Sequence, residues 1–123
     1  MEWFNYIGAA GTILMGCLGL LSPKTASTFV GLSARTNSGT SEFRATYGGL
    51  WLPLGIVPLA SLEPALFALT GLCWLGAALG RVVSIFVDHA SDAKNWLAVV
   101  FESGFATFLL MGTPATKMLE LVT

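Results

Sequence analysis

Charge is what this sequence has least of. Asp, Glu, Lys and Arg make up only 11% of its 123 residues, where a soluble domain carries roughly a quarter. So few charges cannot cover a water-facing surface. The net charge of −1 also excludes the basic patch that a nucleic-acid partner requires. Cysteine is scarce too. Cys17 and Cys73 each fall inside an apolar run, so no disulfide framework is expected, and both read as small packing residues. The single histidine, His89, has only Asp88 and Asp92 near it, at a spacing that matches no metal motif. Neither a metal nor a cofactor is expected. No Ser-His-Asp set and no phosphate loop is legible.

What the chain does have is apolar length: 54% of it is hydrophobic. Four apolar segments approach or exceed the roughly 20 residues that cross a bilayer at about 1.5 Å per residue. The first runs from Trp3 to Leu21. Glu2 precedes it, and no small-x-small cleavage site follows Leu21, so it reads as a retained membrane helix, not a secretory signal. Its Gly8, Thr12 and Gly16 form a small-residue stripe suited to close packing inside a bundle. Ser22-Pro23 suits a helix start, which predicts a short interfacial helix from Lys24 to Leu32 with Phe29, Val30 and Leu32 inward. Ser33 to Ser41 reads as a loop.

The second segment, Glu42 to Ala60, contains Pro53 and Pro58. Each lacks an N–H and crowds the carbonyl four residues earlier, at Gly49 and Leu54. A kink facing protein is expected, with those carbonyls finding other partners. After the turn at residues 61–64, a third helix spans Pro64 to Asp88. Its Gly76 and Gly80 read as a second packing stripe. A polar turn, capped by Ser91 or Asp92, leads to a fourth helix from Ala93 to Gly112, and Thr113 starts a short tail. The expected fold is all-α: one domain over residues 1–123, a four-transmembrane-helix bundle with a kinked second helix.

Lys24, Arg35, Arg44 and Lys94, with Arg81 nearby, gather on one side of this bundle, against Lys117 on the other. The positive-inside rule makes the first side cytoplasmic and both termini external. Trp3 and Trp96 fall near opposite interfaces, as an aromatic belt requires.

Arg81 and Glu102 are the charges set deep inside apolar segments. Each lies about 10 Å in from the same surface, at about 1.5 Å per residue, on antiparallel neighbours. They read as a pair, and charges within membrane helices mark polar sites. A buried pair that only fixes assembly is the plainer reading. Ser84 and Asp88 share a helix face with Arg81, and Arg44, Tyr47 and Trp51 share one on the second helix. The expected ligand pocket is therefore lined by Arg44, Tyr47, Arg81, Ser84 and Glu102, with Glu42, Asp88 and Trp51 as secondary candidates.

Taken together, Glu42-Phe43-Arg44-Ala45-x-Tyr47-Gly48-Gly49, Gly80-Arg81-x-x-Ser84-x-x-x-Asp88 and Trp96 followed by Glu102 resemble a bacterial family of small four-helix membrane proteins catalogued as a domain of unknown function. The resemblance covers nearly the whole chain. It implies a four-helix membrane bundle and supplies no catalytic roles.

The expected function is a non-catalytic binding or accessory subunit of a bacterial cytoplasmic membrane. Its expected partners are membrane lipid, a hydrophobic small molecule, and other copies of itself or a larger complex. The alternative is a small enzyme acting on a lipid-like or isoprenoid substrate. Glu102 would then be the acid or base, with Tyr47 and Arg44 or Arg81 polarising the substrate. A proton-coupled transporter ranks third, because the first helix carries no charge after Glu2.

Overall fold

Six α-helices and one π-helical turn form the computed structural model, which describes residues 2–30, 32–33 and 35–111 without the side chains of Glu2, Phe29 and Val30. In chain order they are α1 (Glu2–Leu21), α2 (Pro23–Val30), α3 (Asn37–Arg44), the π turn (Ala45–Gly49), α4 (Trp51–Ser61), α5 (Pro64–Val87) and α6 (Ala93–Leu110). No strand occurs among the described residues. α1 and α5 are each long and apolar enough to cross a membrane. The tail from Thr113, Lys117 within it, and the side chains of Phe29 and Val30 lie outside the described residues. Leu32, expected inward, is about half exposed.

Local chemistry explains where the helices begin. Pro64 takes the first position of α5, where its missing N–H costs nothing. The Asp92 carboxylate caps α6 by accepting from the Asn95 backbone N–H at 2.7 Å. Thr36 caps α3 in the same way, accepting from the Gly39 N–H at 2.9 Å. Helix therefore starts at Asn37, inside the stretch expected to be loop. Ser, Thr and Asn favour both loops and helix caps, and composition alone does not separate the two.

The expected second helix is not one regular element. It divides into α3, the π turn and α4, and the Leu50 N–H reaches back to the Ala45 carbonyl at 2.9 Å. Pro53 follows in the first turn of α4. Pro58 lies deeper in α4 and is buried. The carbonyl it frees, that of Leu54, accepts from the Thr70 hydroxyl of α5 at 2.5 Å. A neighbouring helix thus supplies the bond that the proline removes. Thr70→Val should therefore cost about 1–3 kcal/mol by leaving a buried acceptor unpaired. In a Pro58→Ala background, which restores the N–H, the same change should be nearly neutral. Thermal unfolding of the four proteins in detergent checks this, and equal losses in both backgrounds would refute it.

α5 packs chiefly on α6, and α4 chiefly on α1. The two pairs are fastened together at one end. There Ala9, Phe67, Trp74, Ala106 and Leu109 form the buried core. The Trp74 indole N–H donates to the Thr12 hydroxyl at 2.9 Å, and that hydroxyl donates to the Gly8 carbonyl at 2.8 Å. The Asn5 amide nitrogen donates to the carbonyls of Phe108 and Leu109 near the end of α6.

The Gly8–Thr12–Gly16 stripe packs as expected, Gly8 against Leu109 and Gly16 against Leu52. The second stripe does not. Neither Gly76 nor Gly80 has any neighbour within 4 Å of where a Cβ would stand. Gly76 is exposed, and Gly80 borders open space between the helices. The outer surface is strongly apolar, with Leu14 70% and Phe86 71% exposed and Val83, Leu97 and Val100 beside them in kind.

Candidate functional site

Because the two helix pairs are fastened at one end, they part at the other, and a cavity of about 550 Å³ lies between them. Its apolar wall comes from both pairs: Met15 of α1, Trp51 of α4, Trp74 of α5 and Phe101 of α6. The Trp51 and Trp74 rings stand 4.4 Å apart, and Trp74 stacks on Phe105 at 4.9 Å. Its polar side carries Tyr47, Arg81, Ser84, Asp92, Lys94, Asn95 and Glu102. The small residues Ala77, Gly80 and Ala98 leave the space between.

Arg81 and Glu102 form the one ion pair among the described residues, Nε of Arg81 donating to Oε1 of Glu102. The carboxylate is nearly buried, its side chain 8% exposed, and the guanidinium is 24% exposed. Arg81 Nη1 also donates to Asn95 Oδ1 at 2.9 Å, and Asn95 Nδ2 donates to the Ala90 carbonyl at 2.9 Å. The guanidinium thus ties α5 to the first and third turns of α6, and through Asn95 to the loop between the helices. His89 makes that loop possible in a left-handed conformation, φ 56°.

Of the residues singled out from the sequence, Tyr47, Trp51, Arg81, Ser84 and Glu102 line this cavity. Arg44 does not. Its Nη1 donates to the Leu20 carbonyl, and it lines a separate cleft of about 300 Å³ beside α2. The π turn explains the separation. There the ladder widens, the Leu50 N–H bonding to the Ala45 carbonyl, so Tyr47, inside the turn, does not keep the α-helical spacing that would put it on one face with Arg44, the last residue of α3. Glu42 is exposed and lies outside both recesses. Asp88 sits at the margin, accepting from the Ser84 hydroxyl at 2.7 Å. Asn95, Lys94, Trp74 and Met15 were not legible as site residues. Asn95 had one available signal, its position a short turn after Arg81's helix and seven residues before Glu102.

Among the described residues no three His, Cys, Asp or Glu side chains group as metal ligands. Cys17 and Cys73 are free and half-buried. The cavity offers an aromatic wall that can meet an apolar body, and charged and hydrogen-bonding groups at one end that can meet a polar head.

These features define an all-helical protein with two helices able to cross a membrane and a polar-ended, half-open cavity between helices. A family model described as a domain of unknown function (DUF4345) matches residues 1–112, and the chain belongs to that family. No match is found among curated proteins or among solved structures.

Proposed function

We propose that this is a four-transmembrane-helix protein of a bacterial cytoplasmic membrane that acts as a non-catalytic binding subunit for an amphiphilic small molecule. The cavity carries the reading. Its wall of Trp51, Trp74, Phe101 and Met15 suits an apolar body, and Arg81, Asn95 and Lys94 stand where a polar head would lie. Pockets of this size and lining bind small molecules with few, well-placed polar groups. Glu102 is already satisfied by Arg81, which favours binding over acid–base work.

Membrane residence is supported by the two apolar helices and by the exposed Leu14, Val83, Phe86 and Leu97. Lys24, Arg35 and Lys94 stand at the end where α1 and α5 finish, and Glu63 stands at the other. The positive-inside rule then puts both termini outside. In a cysteine-free background, Glu63→Cys in intact cells should react with an impermeant maleimide and Ser38→Cys should not. The reverse pattern would invert the topology.

The binding reading is tested by filling the cavity. Protein purified in mild detergent should release an amphiphile on solvent extraction. Ala77→Phe and Ala98→Leu should each lower its yield about tenfold, a loss of roughly 1.4 kcal/mol in binding, while leaving the helical content unchanged. Unchanged yield in both variants would remove the cavity as the site. Release of a chemically altered compound would instead favour the enzyme reading, with Glu102 as the acid or base.

A further inference from the structure

The cleft that holds Arg44 has a composition unlike the rest of the molecule. It is bounded by the end of α1, the start of α2 and one side of α3 from Thr40 to its last residue, Arg44, and it has a volume of about 300 Å³. Two cations, Lys24 and Arg44, line it together with the hydroxyl-bearing Ser22, Ser27 and Thr40, and among the described residues no carboxylate does. Neither cation has an ion-pair partner among the described residues. In a chain with only six Lys and Arg, two of them converge on one recess.

Arg44 is held in place there. Its Nη1 donates to the Leu20 carbonyl at the end of α1, which leaves further N–H donors of the guanidinium for an oxyanion. Lys24 adds a mobile ammonium from α2. The backbones beneath are fixed, because Gly19 and Gly48 bring α1 and the π turn into direct contact. Leu21 forms one edge of the cleft and is 76% exposed, so an apolar surface adjoins the charged recess. Arginine and lysine are the usual partners of phosphate oxygens, and they carry the site here, because the hydroxyls of Ser22, Ser27 and Thr40 already donate to Thr25, Lys24 and Thr36.

We infer that this cleft is a binding site for a phosphate-bearing anion, held between Lys24 and Arg44 and separate from the main cavity. Two sources share that chemistry: the headgroup of an anionic phospholipid and a free phosphate. The lipid source rests on the membrane reading, and the free source does not. The exposed Leu21 beside the recess favours the lipid, whose acyl chains would run along it.

The test uses the full chain purified in neutral detergent. Its melting temperature is followed as phosphatidylglycerol, phosphatidylcholine or inorganic phosphate is added. The expected result is a rise with phosphatidylglycerol and none with phosphatidylcholine. Lys24→Gln, which breaks no hydrogen bond of the fold's side chains, should weaken the half-maximal concentration about fivefold, the share of one basic residue at an anionic surface. Arg35→Gln, an exposed cation outside the cleft, should leave it unchanged. An equal rise with inorganic phosphate, also lost in Lys24→Gln, supports the site with a free anion as its occupant. Equal weakening by Lys24→Gln and Arg35→Gln, or no response to either anion, overturns the proposal, since general surface charge would then account for any effect.

Discussion

Arg81→Met is expected to destabilise the protein by about 3–5 kcal/mol, the loss seen when one partner of a buried ion pair is removed. The Glu102 side chain is 8% exposed, so its charge would be stranded away from water. The loss should reach beyond the pair, because Arg81 also holds Asn95, which in turn holds the α5–α6 loop through Ala90. Glu102→Gln should cost less than Arg81→Met, since an amide oxygen still accepts from the guanidinium. Arg81→Met with Glu102→Leu should recover much of the loss, because replacing both charges by apolar groups removes the desolvation penalty of each. Thermal stability in detergent decides. A double variant as unstable as the sum of the singles would show that the two charges do not act as a pair. A stable double variant that no longer carries the extractable amphiphile would show that the pair is kept for the cavity.

Gly48→Ala is expected to be among the most damaging small substitutions outside that pair. An added Cβ would stand 2.6 Å from the Leu20 nitrogen and 2.7 Å from the Leu20 Cα. Gly19 faces the π turn reciprocally, and a Cβ there would run into the Tyr47 carbonyl. These obstacles are backbone, so no side chain can swing aside. The helices must separate, at a cost of about 3 kcal/mol or more, the upper part of the range for overpacking. Separation would also disturb Tyr47, which lines the cavity, and Arg44, which bonds to Leu20. Gly76→Ala and Gly80→Ala serve as controls. Nothing stands within 4 Å of either, and alanine is a better helix former than glycine by about 1 kcal/mol, so both should be neutral or slightly stabilising. If Gly48→Ala melts with the wild type while Gly76→Ala falls, the assignment of closed and open glycine faces is wrong.

Pro58, Thr36 and Arg81 show how far the sequence reaches. The proline's missing N–H required a substitute donor for the Leu54 carbonyl, and that need is written in the chain. That Thr70 provides it is not, because any hydroxyl on a neighbouring helix would serve. The matching depths of Arg81 and Glu102 follow from helical rise and a short connecting turn, both of them local quantities, and the two side chains do meet. The cap before α6 was legible only as Ser91 or Asp92, because both stand just before the apolar run, and the structure assigns it to Asp92. Thr36 was not, because it stands among residues that favour loop and cap alike.

By itself the sequence determined the apolar helices, most of their ends, the position of the deep charges along them and the need for a second donor near Pro58. Only the tertiary structure decided which faces meet. Helices apolar nearly all round carry no polar stripe to fix their rotation, so residue spacing gives depth without azimuth. The π turn then shifts the register between Arg44 and Tyr47, sending one to the cleft beside α2 and the other to the main cavity. The cavity itself arises from the fastening of α1–α4 to α5–α6 at one end only. That is a property of packing between distant segments, and no stretch of the chain encodes it alone.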